Sequence, residues 1–338
     1  MHPLTPRRVA IVCAGLGAVL FVAMVISLQL GAYPMSANDV VMTLVRRVLG
    51  QSNQIPSEFY LVVFGLRLPR IALGIIVGAA LSVAGAGFQA LLRNPLADPY
   101  VLGVSSGAAL GAILSLSVAP RLPLAMQAAA FLGAAATIAA VYFLGRRGGQ
   151  LDSTTLLLAG IVSASFLSAV IMFLMTTLSG RDLRGMAFWL MGDLATPPAM
   201  HLGFLFLVLL AAVGAIYSTS SDLNLILTGE QEARHLGVNV SRVKVVVYVA
   251  ASLLTGLAVS LSGAIGYIGL LVPHVMRMLF GSDYRLLIPA TALGGAIALV
   301  LADALARTVV APTELPVGAM TALAGAPVFI YLLRRRVR

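Results

Sequence analysis

The chain has 338 residues, of which 60% are hydrophobic and only 10% charged, too little polar material to wet a soluble domain of this size. Its apolar runs last about twenty residues, unlike the roughly ten-residue alternating segments of an outer-membrane barrel, so the expected fold class is an all-α polytopic membrane protein. A formal net charge of +10 is scattered between these runs, which argues against a nucleic-acid surface, and the lone Cys13 excludes an intrachain disulfide.

In chain order, Arg7 and Arg8 lead into a first apolar run at 9–30, too long for the core of a signal peptide. Further runs are predicted at 71–92, 101–118, 122–145, 154–178, 199–217, 243–263, 265–280, 286–308 and 315–333, about ten transmembrane helices, of which the third and eighth are the weakest. An even number returns both termini to one side, and Arg7, Arg8, Arg334, Arg335, Arg336 and Arg338 make that side cytoplasmic. Threading the loops alternately places 14 of the 22 Lys and Arg inside. The exceptions, Arg46, Arg47, Arg67, Arg70, Arg121, Arg181, Arg184 and Arg307, would mark the outer face for an acidic partner. No long polar insertion interrupts the runs, so 1–338 reads as a single transmembrane domain.

Gly74 and Gly78, then Gly103, Gly107 and Gly111, recur at four-residue spacing and form stripes suited to close helix packing. Asn94, Pro95 and Asp98 make a polar turn between the second and third runs, with Asp98 placed to cap the next helix. The segment Asp152-Ser-Thr-Thr155 before the fifth run reads as a helix N-cap. Residues 228–237 form a short helix in which Thr228 caps, Glu230 and Glu232 fill the first turn, Glu230 pairs with Arg234, Ala233 and Leu236 share a face, and Gly237 ends it. By its residues alone it is either a plain surface helix or a piece that transmits motion.

The single lysine, Lys244, lies between Val243 and Val245, so the sequence holds no Gly-Lys-Ser/Thr phosphate loop, and any ATP must be hydrolysed elsewhere. His2, His201, His235, His274 and Cys13 are too dispersed for a metal site, and no nucleophile motif is present; neither a catalytic residue nor a resident cofactor is expected. Asp303 is the best candidate for a proton carrier in an ion-coupled transporter, but Arg307 lies four residues on along the same helical face and an i to i+4 ion pair explains both.

Several motifs together resemble the FecCD-type permeases of ABC importers for iron chelates, haem and vitamin B12: Arg67-Leu-Pro-Arg70, Arg93-Asn-Pro-Leu-Ala-Asp-Pro99, Leu102-Gly-Val-Ser-Ser-Gly-Ala108, Ala233-Arg-His-Leu-Gly237, Gly269-Leu-Leu-Val-Pro-His274, Ala302-Asp303 with Arg307, and Glu314-Leu-Pro-Val-Gly318. The resemblance covers nearly the whole chain; Tyr267 departs from the more usual Phe. It implies a homodimer in the bacterial inner membrane, two partner ATPases that hold ATP and Mg, and a periplasmic binding protein. It further implies that Gly229, Glu230, Ala233, Arg234, Leu236 and Gly237 belong to a helix coupled to the ATPase. By the same resemblance Arg67, Arg70 and Arg307 meet carboxylates of the binding protein, and Ser153 and Thr154 form a cytoplasmic gate, plain N-capping being the alternative for the last. Haem is the first expectation for cargo, with ferric siderophore or cobalamin as alternatives.

Overall fold

The computed structural model describes residues 5–31, 33, 35–118, 124–147, 150–176, 180–195 and 202–336. His2, Arg121, His201 and Arg338 lie outside the described residues, as do the side chains of Arg147, Arg181, Arg184, Arg334, Arg335 and Arg336.

Among the described residues the regular structure is helical apart from one two-stranded ribbon. Helix α1 (Pro6–Gln29) starts with the Thr5 side chain accepting from the Arg8 N–H, and α2 (Ala37–Val48) starts with a reciprocal capping box between Ser36 and Asp39. Helix α3 (Ser57–Tyr60) passes through a π-helical stretch (Leu61–Arg67) into α4 (Leu68–Leu91), making one helix of 35 residues. Then come α5 (Val104–Val118), α6 (Ala125–Leu144), the ribbon β1 (Arg146–Arg147) and β2 (Gln150–Leu151), and α7 (Ser153–Met175). Helix α8 (Gly180–Leu190) precedes α9 (Leu202–Ser218), which bends by 47° into α10 (Ser220–Ile226). The chain continues through α11 (Glu230–His235), α12 (Val240–Ser262), α13 (Ile268–Phe280), α14 (Tyr284–Ala306) and α15 (Val317–Arg336).

Each of the ten apolar runs falls on a helix. Among the described residues, α1, α3–α4, α6, α7, α12 and α14 are long and apolar enough to cross a membrane, the α9–α10 pair is a bent seventh, and α5, α13 and α15 are shorter apolar helices. The two weakest runs are α5 and α13, and both are short for one reason. Each comes after an irregular connection, and the two connections meet: the Tyr100 hydroxyl donates to the Ile265 carbonyl at 3.0 Å and accepts from the Ile265 N–H at 2.9 Å. Non-helical backbone among apolar helices has to find such internal partners. Asp98 caps the first connection as expected, accepting from the Tyr100 N–H at 2.8 Å.

Helix α4 is the axis of the bundle and is buried over most of its length by α14, α12, α13 and α9, whereas α1, α6 and α7 leave most residues facing outward. Small residues permit this packing, since apolar helices in lipid gain little from hydrophobicity and associate by close contact. A methyl added at Gly78 would overlap the Gly295 carbonyl, one at Gly85 the Gly269 carbonyl, and those at Gly107 and Gly111 would overlap α6. Gly78, Gly107 and Gly111 therefore serve packing, whereas Gly74 meets nothing nearer than 3.6 Å and Gly103 lies before α5 at φ +76°. We predict that Gly85→Ala destabilises the detergent-solubilised protein by about 1–3 kcal/mol, the usual cost of overpacking, whereas Gly17→Ala, which meets nothing within 4 Å, lowers the melting temperature little.

Candidate functional site

Three of the arginines expected to decorate the outer face gather where α1 and α14 end and the π stretch enters α4. They are buried instead: Arg67, Arg70 and Arg307 are 5%, 7% and 3% exposed. The cause lies in α1, whose last carbonyls have no intrahelical donor and carry the negative end of the helix dipole. Arg67 donates to the carbonyls of Leu28 and Tyr33, each at 2.5 Å. Arg307 donates to the Leu30 carbonyl at 3.0 Å and to the Ser27 carbonyl and hydroxyl at 3.2 and 2.7 Å.

Asp303 supplies the countercharge. Arg70 Nε donates to one of its oxygens at 2.8 Å, and Arg307 Nε lies 3.0 Å from the other, which is the i to i+4 pair the sequence predicts. Arg70 also reaches Glu314 at 2.7 Å. With each oxygen matched by a guanidinium, Asp303 serves the fold, and the ion-coupled reading loses its best carboxylate. Three guanidiniums and the Glu314 carboxylate line a cavity of 270 Å³ with Tyr33 and Leu66, and the Tyr33 hydroxyl donates to Glu58 at 3.1 Å. Arg46 and Arg47 are occupied locally, by the Gln54 carbonyl at 2.8 Å and the Ser52 hydroxyl at 3.0 Å.

At the opposite end, α11 forms within the predicted segment with different partners. Gly229, not Thr228, is its N-cap, and the Thr228 hydroxyl donates back to the Leu225 carbonyl at 2.8 Å. Gly237, at φ +88°, ends it as expected: its N–H bonds the Arg234 carbonyl while the Val238 N–H bonds the Ala233 carbonyl, the paired geometry of a Schellman stop. Ala233 is fully buried and Leu236 is 65% exposed, so the two do not share an environment. Glu230 pairs with Lys244 of α12 at 2.6 Å instead of with Arg234, which donates to Gln150 of β2 at 2.8 Å. A surface i to i+4 pair gains only a few tenths of a kcal/mol, whereas a buried ammonium requires a partner, so the longer-range pair wins.

The gate candidates lie beside this helix. Asp152 caps α7, accepting from the Thr155 N–H and hydroxyl at 2.8 and 2.6 Å, as N-capping requires. The Ser153 hydroxyl is bound to the Leu91 carbonyl at the end of α4, at 3.0 Å, while Thr154 is exposed. On the same end, Asn224 of α10 donates to Asp283 at 2.8 Å and accepts from the Tyr284 N–H at 3.0 Å, which fixes the bent half-helix to the start of α14. The sequence motifs do not point to this junction as a site, although Asp-Tyr-Arg before an apolar run is a legible N-cap signal. No group of three or more His, Cys, Asp or Glu capable of holding a metal occurs among the described residues.

These charges set two expected outcomes. Asp303→Asn leaves two arginines without their shared counterion and should cost about 3–5 kcal/mol, against less than about 1 kcal/mol for Glu314→Gln at a surface partner, read as melting of the purified protein. Hydrogen bonds from Arg285, then from Asn224, hold the Asp283 carboxyl down to about 2. Its folded value lies below its unfolded one, so the native state binds fewer protons in that window; the contribution is present above about pH 4 and lost as pH falls toward 2. Asp283→Asn should remove that slope from melting curves taken between about pH 2 and 5.

The FecCD transport family matches residues 19–335 of the chain. The hemin transport system permease protein of Yersinia pestis is 40% identical over 313 residues, covering 89% of this chain and 91% of that protein. The cobalamin import system permease protein of Halobacterium salinarum is 42% identical over 282 residues, 83% of this chain and 76% of that one. A solved inward-facing structure assigned to the metal-chelate type of ABC transporter superposes with a TM-score of 0.80 at 32% identity, over 96% of this chain and 99% of that one. A match that runs from within α1 to the last turn of α15 takes in the arginine cluster and α11 alike, and the chain belongs to the FecCD transport family.

Proposed function

We propose that this chain is the translocation subunit of an ABC importer that carries haem inward by alternating access, powered by ATP and Mg held on a partner ATPase. The observation that carries the reading is α11: a helix pinned at both ends and buried at Ala233, yet presenting Leu236 outward and largely uncovered. Such a helix suits insertion into an apolar groove of an ATPase, with Gly229 and Gly237 setting its ends and Glu230 and Arg234 fastening it to the bundle.

In this reading the α11 face and both termini are cytoplasmic, in a bacterial inner membrane, and two copies of the chain enclose one path above two ATPases. The arginine face is then periplasmic. Its positively charged cavity, lined by Arg67, Arg70 and Arg307, would take a carboxylate of the binding protein, which must enter the cavity because the guanidinium groups do not stand proud of the surface. Thr154 rather than Ser153 would face the path as the gate, since Ser153 is committed to α4. Similarity to the hemin permease supports haem as cargo; cobalamin is the second reading, favoured by the equally similar archaeal cobalamin permease.

The test is uptake by the complete importer in liposomes. Haemin delivered by the binding protein should accumulate only with ATP on the ATPase side and should stimulate hydrolysis; stimulation by cobalamin or a ferric siderophore alone would remove haem. Accumulation driven by an ion gradient without ATP would overturn the importer reading itself.

A further inference from the structure

We infer that Lys244 is a positioning residue that makes α11 and the start of α7 move as one piece, so that a displacement of α11 is delivered to the gate. The inference rests on α11 being the seat of the ATPase. The one lysine of the chain is 7% exposed on α12, where a methionine would fill similar volume without desolvating a charge.

Its ammonium makes two contacts, and they lead to different segments. One is the ion pair to Glu230 in the first turn of α11, at 2.6 Å. The other is a hydrogen bond to the carbonyl of Leu151, at 3.3 Å, on the β2 strand immediately before the cap of α7. A second tie runs in parallel, from Arg234 near the end of α11 to Gln150 of the same strand. Beyond Leu151 the path is stiff. The Asp152 N–H bonds the Gly145 carbonyl at 3.1 Å, its carboxylate caps α7, and Ser153 is fastened to the end of α4. Thr154, exposed, is the next residue along. A shift of α11 is thereby linked to residues 150–154 through both ties.

The number of cargo molecules moved per ATP hydrolysed reports this role, because a merely destabilised complex loses transport and hydrolysis together and leaves their ratio alone. In liposomes holding the complete importer, Lys244→Met should lower the haemin moved per ATP at least about fivefold, the lower end of ordinary coupling between sites. If Lys244→Met does not fold, Lys244→Met with Glu230→Gln removes both charges and is read in the same way. Lys244→Arg, whose fork can still donate to both acceptors, should recover the ratio. Leu236→Asp, assayed by whether the ATPase copurifies, tests the seat separately from the link. Loss of the ATPase in Leu236→Asp together with an unchanged ratio in Lys244→Met overturns this inference and leaves the seat intact. Retention of the ATPase in Leu236→Asp overturns both.

Discussion

Asp303 stands between two arginines at the end of the bundle, and the placement of the outer helices depends on that one buried charge. A carboxylate that is 2% exposed has to be neutralised where it lies, and Arg70 and Arg307 each take one oxygen. The guanidiniums then have donors to spare, and Arg307 directs them to the open carbonyls of α1, joined there by Arg67. Helix α1 buries few residues, and lipid offers no hydrophobic reward for packing it against α14. Close packing against α14 carries the helix, and these hydrogen bonds fix its end, with Arg8 holding the other end to the Phe280 carbonyl at 3.0 Å.

Most of the fold is legible in the sequence because lipid imposes a simple length rule, and each of the ten apolar runs contains a helix among the described residues, three of them shorter than the rule asks. The rule fails at edges where charge and helix coincide. The second run is predicted to begin at 71 because Arg67 and Arg70 interrupt the apolar pattern, yet the helix begins at Ser57 and carries both arginines inside it. Counting positive charges by loop assigns them to a side of the membrane but says nothing about depth, so the three arginines gather at one end as a group without being surface groups. Helix α2 carries a capping box at Ser36 and Asp39 that is readable in principle but hidden within a polar stretch.

At the α11 end, local rules capture the stop at Gly237 and miss the partners of Glu230 and Arg234. Periodicity pairs residues four apart on one helix, and a helix of six residues has little surface on which to use such pairs. The ion pair that forms instead joins Glu230 to Lys244, across a turn whose geometry only the folded chain supplies. Lys244 is legible solely as the lysine that no phosphate loop contains, and its place opposite Glu230 depends on the return of the chain along α12.

The two ends of the bundle are built to different mechanical specifications. Around Asp303 the charged groups are cross-linked between helices, Arg70 to α14 and Arg307 to α1, which holds that face to one shape. Around α11 the connections are fewer and directional: a 47° bend at the α9–α10 junction, a Schellman stop, and two polar ties that both lead to β2. Connections that run along one route are what the proposed lever would require. On the proposed ATPase seat Leu236 would supply the grip, because burying a leucine side chain is worth about 1.5–3 kcal/mol. An apolar seat closing on it would hold α11 firmly enough to push it, while the fully buried Ala233 beneath keeps the helix packed against the bundle.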